Sequence, residues 1–266
     1  MRISVIMGVY HRDSGTDLLL RAISSILGQT FTEFEFLICD DGSCVEACNV
    51  LDALAKKDAR IWLIRHGDKI TLPQKLNFCL SFAKGEYIAR MDDDDYSLPE
   101  RFEKQAAFLK NHGDFAFVGS NVMQIREGKP VGCRVLPENP TKEDFRFVQP
   151  YIHPALMFRK AALDGVDGYS EGKRQILCED YDLLLRLYEN GYKGCNLQEN
   201  LLEYTLSPVG KSSRRYRHRI NEFVTRYQRF RTLGMLPRAF PYMIKPLVVG
   251  LIPIRLLEKI KVKRKK

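Results

Sequence analysis

Six carboxylates in two short runs are the residues of this chain best suited by type and spacing to do chemistry. "ARMDDDDY" at positions 89–96 sets Asp92, Asp93, Asp94 and Asp95 side by side, and "ICDDGS" at 38–43 sets Asp40 beside Asp41. Adjacent like charges repel, so a folded chain holds such a run where positive charge meets it. Asp oxygens are hard ligands that suit Mg2+ or Mn2+, ions that keep several waters and share phosphate oxygens with a substrate. A cation held by one or two of these acids would bridge a diphosphate and offset its charge as it leaves. The competing reading is a solvated acidic loop in which Ser97 caps the next helix. Asp40-Asp41 also admits two readings, because Asp-Gly is a turn signal and the same pair could hydrogen-bond a base or ribose. His153, before Pro154, is either a packed histidine or a group near a diphosphate or an acceptor.

The surrounding pattern places these acids. Apolar, β-rich runs at 3–10, 34–39, 61–65 and 86–91 alternate with helical patterns at 16–27, 45–57 and 75–84, the last opened by a Thr71–Gln74 capping box. A second box, Ser97–Glu100, is expected to open a helix over 101–112. Alternation of this kind gives an α/β fold built of βαβ units around a largely parallel sheet. Ligands bind outside the carboxyl ends of such strands, which puts Tyr10, Asp40-Asp41 and Asp92–Asp95 on one rim. A dinucleotide site would need G-x-G-x-x-G after the first strand. The chain has "GVYHRDSG" at 8–15, which also lacks the glycine-rich basic loop of a nucleotidyltransferase. Shorter strands are expected within 115–125, 132–136 and 154–159, and an amphipathic helix over 178–191 is ended by Gly191.

Composition bounds the class. The 266 residues are 45% hydrophobic and 28% charged, as in a globular protein with a sizeable core. The apolar stretch "ISVIMGVY" is short and reads as a strand, not a signal peptide. Seven scattered cysteines without a C-x-x-C pair argue against a disulfide framework or a zinc site, and for a reducing cytosol. The net charge of +9 hides an asymmetry: residues 211–266 carry 17 Lys and Arg against two acids, and the rest of the chain is net acidic. The break near "LSPVGKSSRR" divides the sequence into a net acidic region, 1–209, and a basic tail, 210–266, expected to be helical.

"SVIMGVYHR", "ICDDGS", "LNFCLSFAKGEYIARMDDDD…P…R", "HPALMFRK" and "CEDYDLLLRL" occur in this order over roughly residues 2–205. Together they resemble the family 2 glycosyltransferases of the GT-A fold, of the bacterial type that builds capsule, exopolysaccharide or O-antigen repeats. The resemblance implies a nucleotide-diphosphate sugar donor, commonly a UDP-sugar, and inversion at the anomeric carbon. It matches Asp41 to the acid that recognises uracil, with Tyr10 and Asp40 nearby. Within the tetrad it covers a D-x-D motif: Asp92 lies towards the ribose and shares metal binding with Asp94, Asp93 stands between them at the donor, and Asp95 supports the loop or the acceptor. It matches Asp180 to the catalytic base, with Glu179 beside it. Many members have Pro where this chain has Gly8. Asp180 has a plainer role too, since an acid at a helix start favours the helix dipole.

The tail mixes aromatics with arginines over 214–236 and then runs through "FPYMIKPLVVGLIPIRLLEKIKVKRKK". Pro246, Pro253, Lys245 and Arg255 interrupt its apolar part, whereas a spanning helix wants about 20 apolar residues. The expectation is a shallow amphipathic anchor with a polybasic end, holding the protein at the cytoplasmic membrane face near lipid-linked acceptors, against a helix packed on the catalytic domain. Lys211, Ser212, Arg214 and Arg215 could close over a diphosphate. No nucleic-acid-binding motif accompanies the basic segment, so nucleic acid is not an expected partner. An inverting, metal-dependent transferase is the leading function, with a non-catalytic sugar-nucleotide or polysaccharide-binding subunit as the alternative.

Overall fold

Four parallel strands carry the first half of the molecule. In the computed structural model, which describes residues 2–12, 15–174, 176–208 and 215–252, β1 (Ile3–Val9) lies between β2 (Phe34–Asp40) and β4 (Tyr87–Arg90), and β3 (Ile61–Arg65) flanks β2. The crossovers contain α1 (Asp17–Leu27), α2 (Val45–Lys57) and α3 (Leu72–Phe82), because parallel neighbours cannot be joined by a tight turn. Beyond β4 the sheet is mixed. Among the later strands, β8 (Met157–Arg159) runs antiparallel to β4, and β6 (Phe117–Arg126) antiparallel to β8. Next, β9 (Gly194–Thr205) runs parallel to β6, while the two-residue β5 (Tyr96–Ser97) pairs antiparallel with β9. A hairpin adds β7 (Lys129–Arg134) to β6.

Periodicity explains the two-sided core. Along β1, Ile3, Val5, Met7 and Val9 pack against Leu19 and Ile23 of α1, while Ile6 between them packs with Leu76 of α3. Strands buried on both faces read as continuous apolar runs, and each large side chain so buried contributes about 1.5–3 kcal/mol. Gly194 is required where β9 passes β6: a Cβ there would lie 2.1 Å from the Phe117 ring.

The first capping box forms, with Gln74 Oε1 accepting from the Thr71 backbone N–H at 2.9 Å. The second does not. Ser97 is drawn into β5, where its N–H donates to Ser25 Oγ at 3.0 Å and its hydroxyl accepts from Gln29 Nε2 at 3.1 Å. The helix α4 (Arg101–Asn111) therefore starts behind Glu100 without a side-chain cap. Pairing of Tyr96-Ser97 with Leu202-Glu203 outcompetes the local cap, since it buries Ser97 in the sheet.

After the short helix α5 (Lys160–Asp164), α6 (Glu179–Glu189) carries the second acidic group, and Gly191 follows it at φ 79° as the sequence predicts. The described part of the tail forms α7 (Tyr216–Thr232) and α8 (Phe240–Leu251). Phe230, Met235 and Met243 enter the core beneath α6. Arg229 Nε donates to the fully buried Asp182 at 2.9 Å, and Arg186 Nε does the same from within α6. Several tail arginines thus serve packing. Among the described residues, no helix is long and apolar enough to cross a membrane. Lys211, Ser212 and Arg214 of the expected diphosphate loop, and the polybasic end after Ile252, lie outside the described residues.

Arg101 ties α4 to the end of β4. Its fully buried guanidinium donates to the Arg90 carbonyl at 2.8 Å and the Leu156 carbonyl at 3.3 Å, and Nε donates to Gln105 Oε1 at 3.1 Å. Arg101→Met leaves the Arg90 carbonyl without that donor at the strand end that launches the acidic turn. The expected cost is about 2–4 kcal/mol in urea unfolding, with a cooperative transition retained.

Candidate active site

The carboxyl ends of β1, β2 and β4 meet on one rim, and the residues there divide into two sets. Around β1 and β2 the acids are engaged within the protein. Asp41 is buried and accepts from Lys75 Nζ at 2.6 Å and from the Ile70 N–H at 2.8 Å. Lys75 reaches it from α3, which can approach β1 because Gly8 has no side chain: a Cβ would lie 2.9 Å from Leu72 Cδ1. Asp40, also buried, accepts from Arg65 Nη1 at 2.5 Å and from the Ser43 N–H at 3.2 Å, fixing the turn into α2. Tyr10 is half-buried with Lys69 Nζ 3.3 Å from its ring centroid, and the Lys69 and Arg12 cations draw its phenol below the usual range.

The tetrad behaves differently. One oxygen each from Asp92, Asp94 and Asp95 lies within 4.8 Å of the others. Arg90, buried at the end of β4, forms an ion pair with Asp92, while its Nε has no hydrogen-bond partner. Asp95 is fully buried; Oδ1 accepts from the Thr205 N–H at 2.7 Å, and Oδ2 has no partner. The Thr205 hydroxyl donates to the Asp94 carbonyl at 2.5 Å, so the end of β9 clamps the turn. Asp93 points elsewhere, 3.1 Å from His11 Nε2, and raises that imidazole's affinity for a proton. Burial and then the charges of Asp92 and Asp93 push the Asp94 carboxyl up to about 7. Burial also raises Asp92, against the pull of Arg90, and raises Asp95 well above the usual carboxylate range. Three crowded carboxylates short of countercharge could hold a cation: they offer hard oxygens, few in number, one of them buried and unpartnered.

Across from the tetrad, Asp180 occupies the first turn of α6. Its Oδ2 accepts from Gln149 Nε2 at 3.0 Å and its Oδ1 from the Tyr181 N–H at 2.7 Å. Leu177, three residues earlier, holds a φ of 63°, a backbone strain that sets the entry into this helix. Beside Asp180, Glu179 is buried with Oε2 unpartnered; burial and then the Asp180 charge push its carboxyl up to about 7. Arg90, Asp92, His153, Glu179, Asp180 and Tyr204 line one cavity of about 290 Å3. The His153 ring is buried with Nε2 2.7 Å from the Tyr169 hydroxyl, and burial followed by the Arg90 charge pushes its pKa well down, leaving it neutral. The fold thus unites Asp92 and Asp180, 88 positions apart in sequence, in one chamber, with Asp40 and Asp41 committed to the β1–β2 side.

Comparison with known proteins fits this geometry. Residues 4–165 match the family described as Glycosyl transferase family 2. The chain belongs to that family. It is 34% identical over 264 residues to EpsE of Bacillus subtilis, covering 99% of this chain and 94% of EpsE. It is 35% identical over 211 residues to the O-antigen biosynthesis glycosyltransferase WbnJ of Escherichia coli, covering 77% of this chain and 79% of WbnJ. A UDP-Gal:alpha-D-GlcNAc-diphosphoundecaprenol beta-1,3-galactosyltransferase of Escherichia coli shares 27% over 235 residues, 86% of this chain and 84% of the enzyme. Among solved structures, S. aureus TarS 1-349 in complex with UDP-GlcNAc superposes at a TM-score of 0.72 with 18% identity, covering 92% of this chain and 73% of TarS. The mannosyltransferase PcManGT from Pyrobaculum calidifontis, in complex with GDP-Man and Mn2+, does so at 0.62 with 15% identity, covering 98% and 79%. These establish the GT-A fold.

Within this family 2 site, several residues escaped the sequence reading. Arg90 and Arg101 stand in the quoted "ARMDDDD…P…R" run, yet nothing local marks them as the buried cations behind the tetrad. Lys75 sits in an ordinary helical pattern, and Gln149 and Thr205 carry no local signal. Lys75, Gln149 and Thr205 act through contacts 31 or more positions distant in sequence, and Arg101 reaches Leu156, 55 positions away, as well as its nearer partners. Glu179 gives a check on the electrostatics. Its proton is held more tightly in the folded protein than in the unfolded chain, so it removes stability as pH rises from about 4.5 to about 7. Glu179→Gln is therefore expected to stabilise by on the order of 1–2 kcal/mol at pH 8 and by nothing measurable near pH 4, read from urea unfolding at both values.

Proposed function

We propose that this chain transfers a sugar, with inversion, from a nucleotide-diphosphate sugar to a hydroxyl of a saccharide or lipid-linked oligosaccharide in cell-surface polysaccharide synthesis. The carrying observation is that Asp180 and the tetrad's Asp92 face one cavity of about 290 Å3, a volume of ligand-pocket size. A UDP-sugar donor is favoured by the UDP-GlcNAc complex of TarS and by the UDP-Gal donor in the galactosyltransferase's name. Polysaccharide synthesis is favoured by the O-antigen role in the name of WbnJ.

The donor's nucleoside end lies against β1 and β2. The half-buried Tyr10 ring offers a face for the base. Each oxygen of Asp41 has a lone pair beyond its bonds to Lys75 and Ile70, and because the side chain is fully enclosed, meeting a base N–H would require that enclosure to open. Asp40 holds the turn that presents Asp41. Asp92 and Asp94, with Asp95 behind them, would hold Mn2+ or Mg2+ beside the diphosphate, and Asp93 stands at the donor edge paired with His11. When bound, that cation neutralises charge on the leaving diphosphate.

At the other side of the sugar, the acceptor hydroxyl hydrogen-bonds to an Asp180 oxygen. As the acceptor oxygen bonds to the anomeric carbon, its proton passes to Asp180, and the carbon–diphosphate bond breaks with its electron pair staying on the diphosphate. Attack opposite the leaving group inverts the centre without a covalent intermediate. Gln149 fixes the Asp180 carboxylate, and neutral His153 lines the chamber without adding charge. Glu179 lines the same chamber beside it. Placement at the inner membrane face would bring lipid-linked acceptors within reach of this chamber.

Two substitutions separate the roles. With a panel of nucleotide sugars and Mn2+, nucleotide-diphosphate release identifies the donor. Asp180→Asn is expected to keep donor binding while lowering turnover by about 10²–10⁴-fold; unchanged turnover removes Asp180 from its role. Asp94→Ala, or EDTA on the unsubstituted protein, is expected to abolish most transfer, and activity indifferent to both contradicts the metal assignment.

A further inference from the structure

A second cavity, of about 360 Å3, lies between the start of α6 and the helices α7 and α8. It shares Val148, Gln149 and Asp180 with the first chamber, whereas Asp92 lines only the first. Whatever fills it abuts the Asp180 side of the site, away from the donor acids. Its walls carry cations in different states of commitment. Arg226 is occupied, donating to Glu222 and to the carbonyls of Phe145 and Arg146. Lys245 is exposed and spends one of its three donors on the Phe147 carbonyl at 2.9 Å. Arg219 stands 3.5 Å from Glu222, a long contact that leaves most of its fork available. Apolar side chains are exposed here too: Phe147 and Val148, which line the cavity, are 52% and 55% exposed, and Val248 and Leu251 of α8, which neighbours it, are 53% and 73% exposed. The sequence after Ile252 then adds seven Lys and Arg against one Glu.

We infer that this cavity is the seat of the acceptor's lipid-diphosphate stem: Arg219 and Lys245 take the diphosphate, the apolar lip takes the first isoprene units, and the attached sugar reaches Asp180 through the shared wall. This deepens the acceptor reading above and rests on it. The combination of chemistries around this one cavity is the argument. A proton-accepting carboxylate, cations with donors to spare and exposed apolar side chains match the sugar, diphosphate and prenyl parts of one amphiphile. A free saccharide would leave the cations and the lip without a partner, and an acidic peptide would leave the lip exposed. The basic sequence that follows suits the anionic bilayer surface in which such a lipid is embedded.

The test uses the full-length protein and farnesyl diphosphate as probe, titrated by calorimetry beside farnesol, inorganic diphosphate and UDP with Mn2+. Farnesyl diphosphate is expected to bind more tightly than either fragment and without competition from UDP. Arg219→Glu combined with Lys245→Glu is expected to weaken it by about tenfold or more, since two charge-assisted contacts are reversed. The exposed pair Val248→Asp and Leu251→Asp is expected to weaken it by a few-fold (roughly 3–10) with folding intact. UDP–Mn2+ binding should stay the same in every variant, which also shows that each one folds. Displacement by UDP, indifference to the charge reversal, or equal affinity for inorganic diphosphate overturns the inference. Absence of UDP–Mn2+ binding in the unsubstituted protein contradicts the donor reading instead, while the farnesyl diphosphate titration still decides the stem site.

Discussion

Mutual repulsion among the carboxylates after β4 is the constraint around which the rest is arranged. A turn holding Asp92, Asp94 and Asp95 oxygens within 4.8 Å of one another would spread apart if its ends were loose. It does not, because three separate elements hold it. The buried guanidinium of Arg90 lies beneath Asp92, Arg101 reaches from α4 to the carbonyl where the turn begins, and Thr205 at the end of β9 grips Asp94 and Asp95 from the far side. Of the three, Asp92 lines the cavity, and Asp95 stays buried behind it with one oxygen unpartnered. Crowding like charges in this way costs stability locally, and the three elements hold the arrangement against it.

The two halves of the sheet divide the work. The parallel half, sealed on both faces by apolar side chains, presents Tyr10 and Asp41 at fixed heights on the rim, with Lys75 holding Asp41 from below. The mixed half supplies β9, whose end clamps the acidic turn, and the segment that brings Gln149 and His153 into the chamber. Asp180 enters from α6, which is itself anchored by Asp182 to Arg186 and to Arg229 of the tail. The basic tail is therefore part of what positions Asp180, as well as the wall of the second cavity.

Much of this was legible in the residues. Continuous apolar runs of five to eight residues, alternating with helical spacing, specify buried parallel strands and their crossovers through local physics alone. The carboxyl-end rule then places the two acidic runs on one rim without any tertiary information. The Thr71–Gln74 box was legible because both partners lie in one helical turn. The Ser97–Glu100 box had the same local pattern and failed, because a distant strand, β9, offered Ser97 a better partner.

Sequence by itself determined the strand–helix alternation, the parallel half-sheet, the family motifs and the carboxylates that carry charge to the rim, since each depends on neighbours a few residues apart. Tertiary structure decided which of those acids are already paired and which stand open. It made Asp40 and Asp41 supported groups and left Asp92, Asp94 and Asp95 crowded. It also chose Arg90, Lys75, Gln149 and Thr205 as their partners and joined the Asp180 chamber to a second cavity under α7 and α8. The physical reason is that charge balance and enclosure are properties of everything within a few ångströms, and most of those neighbours come from distant parts of the chain.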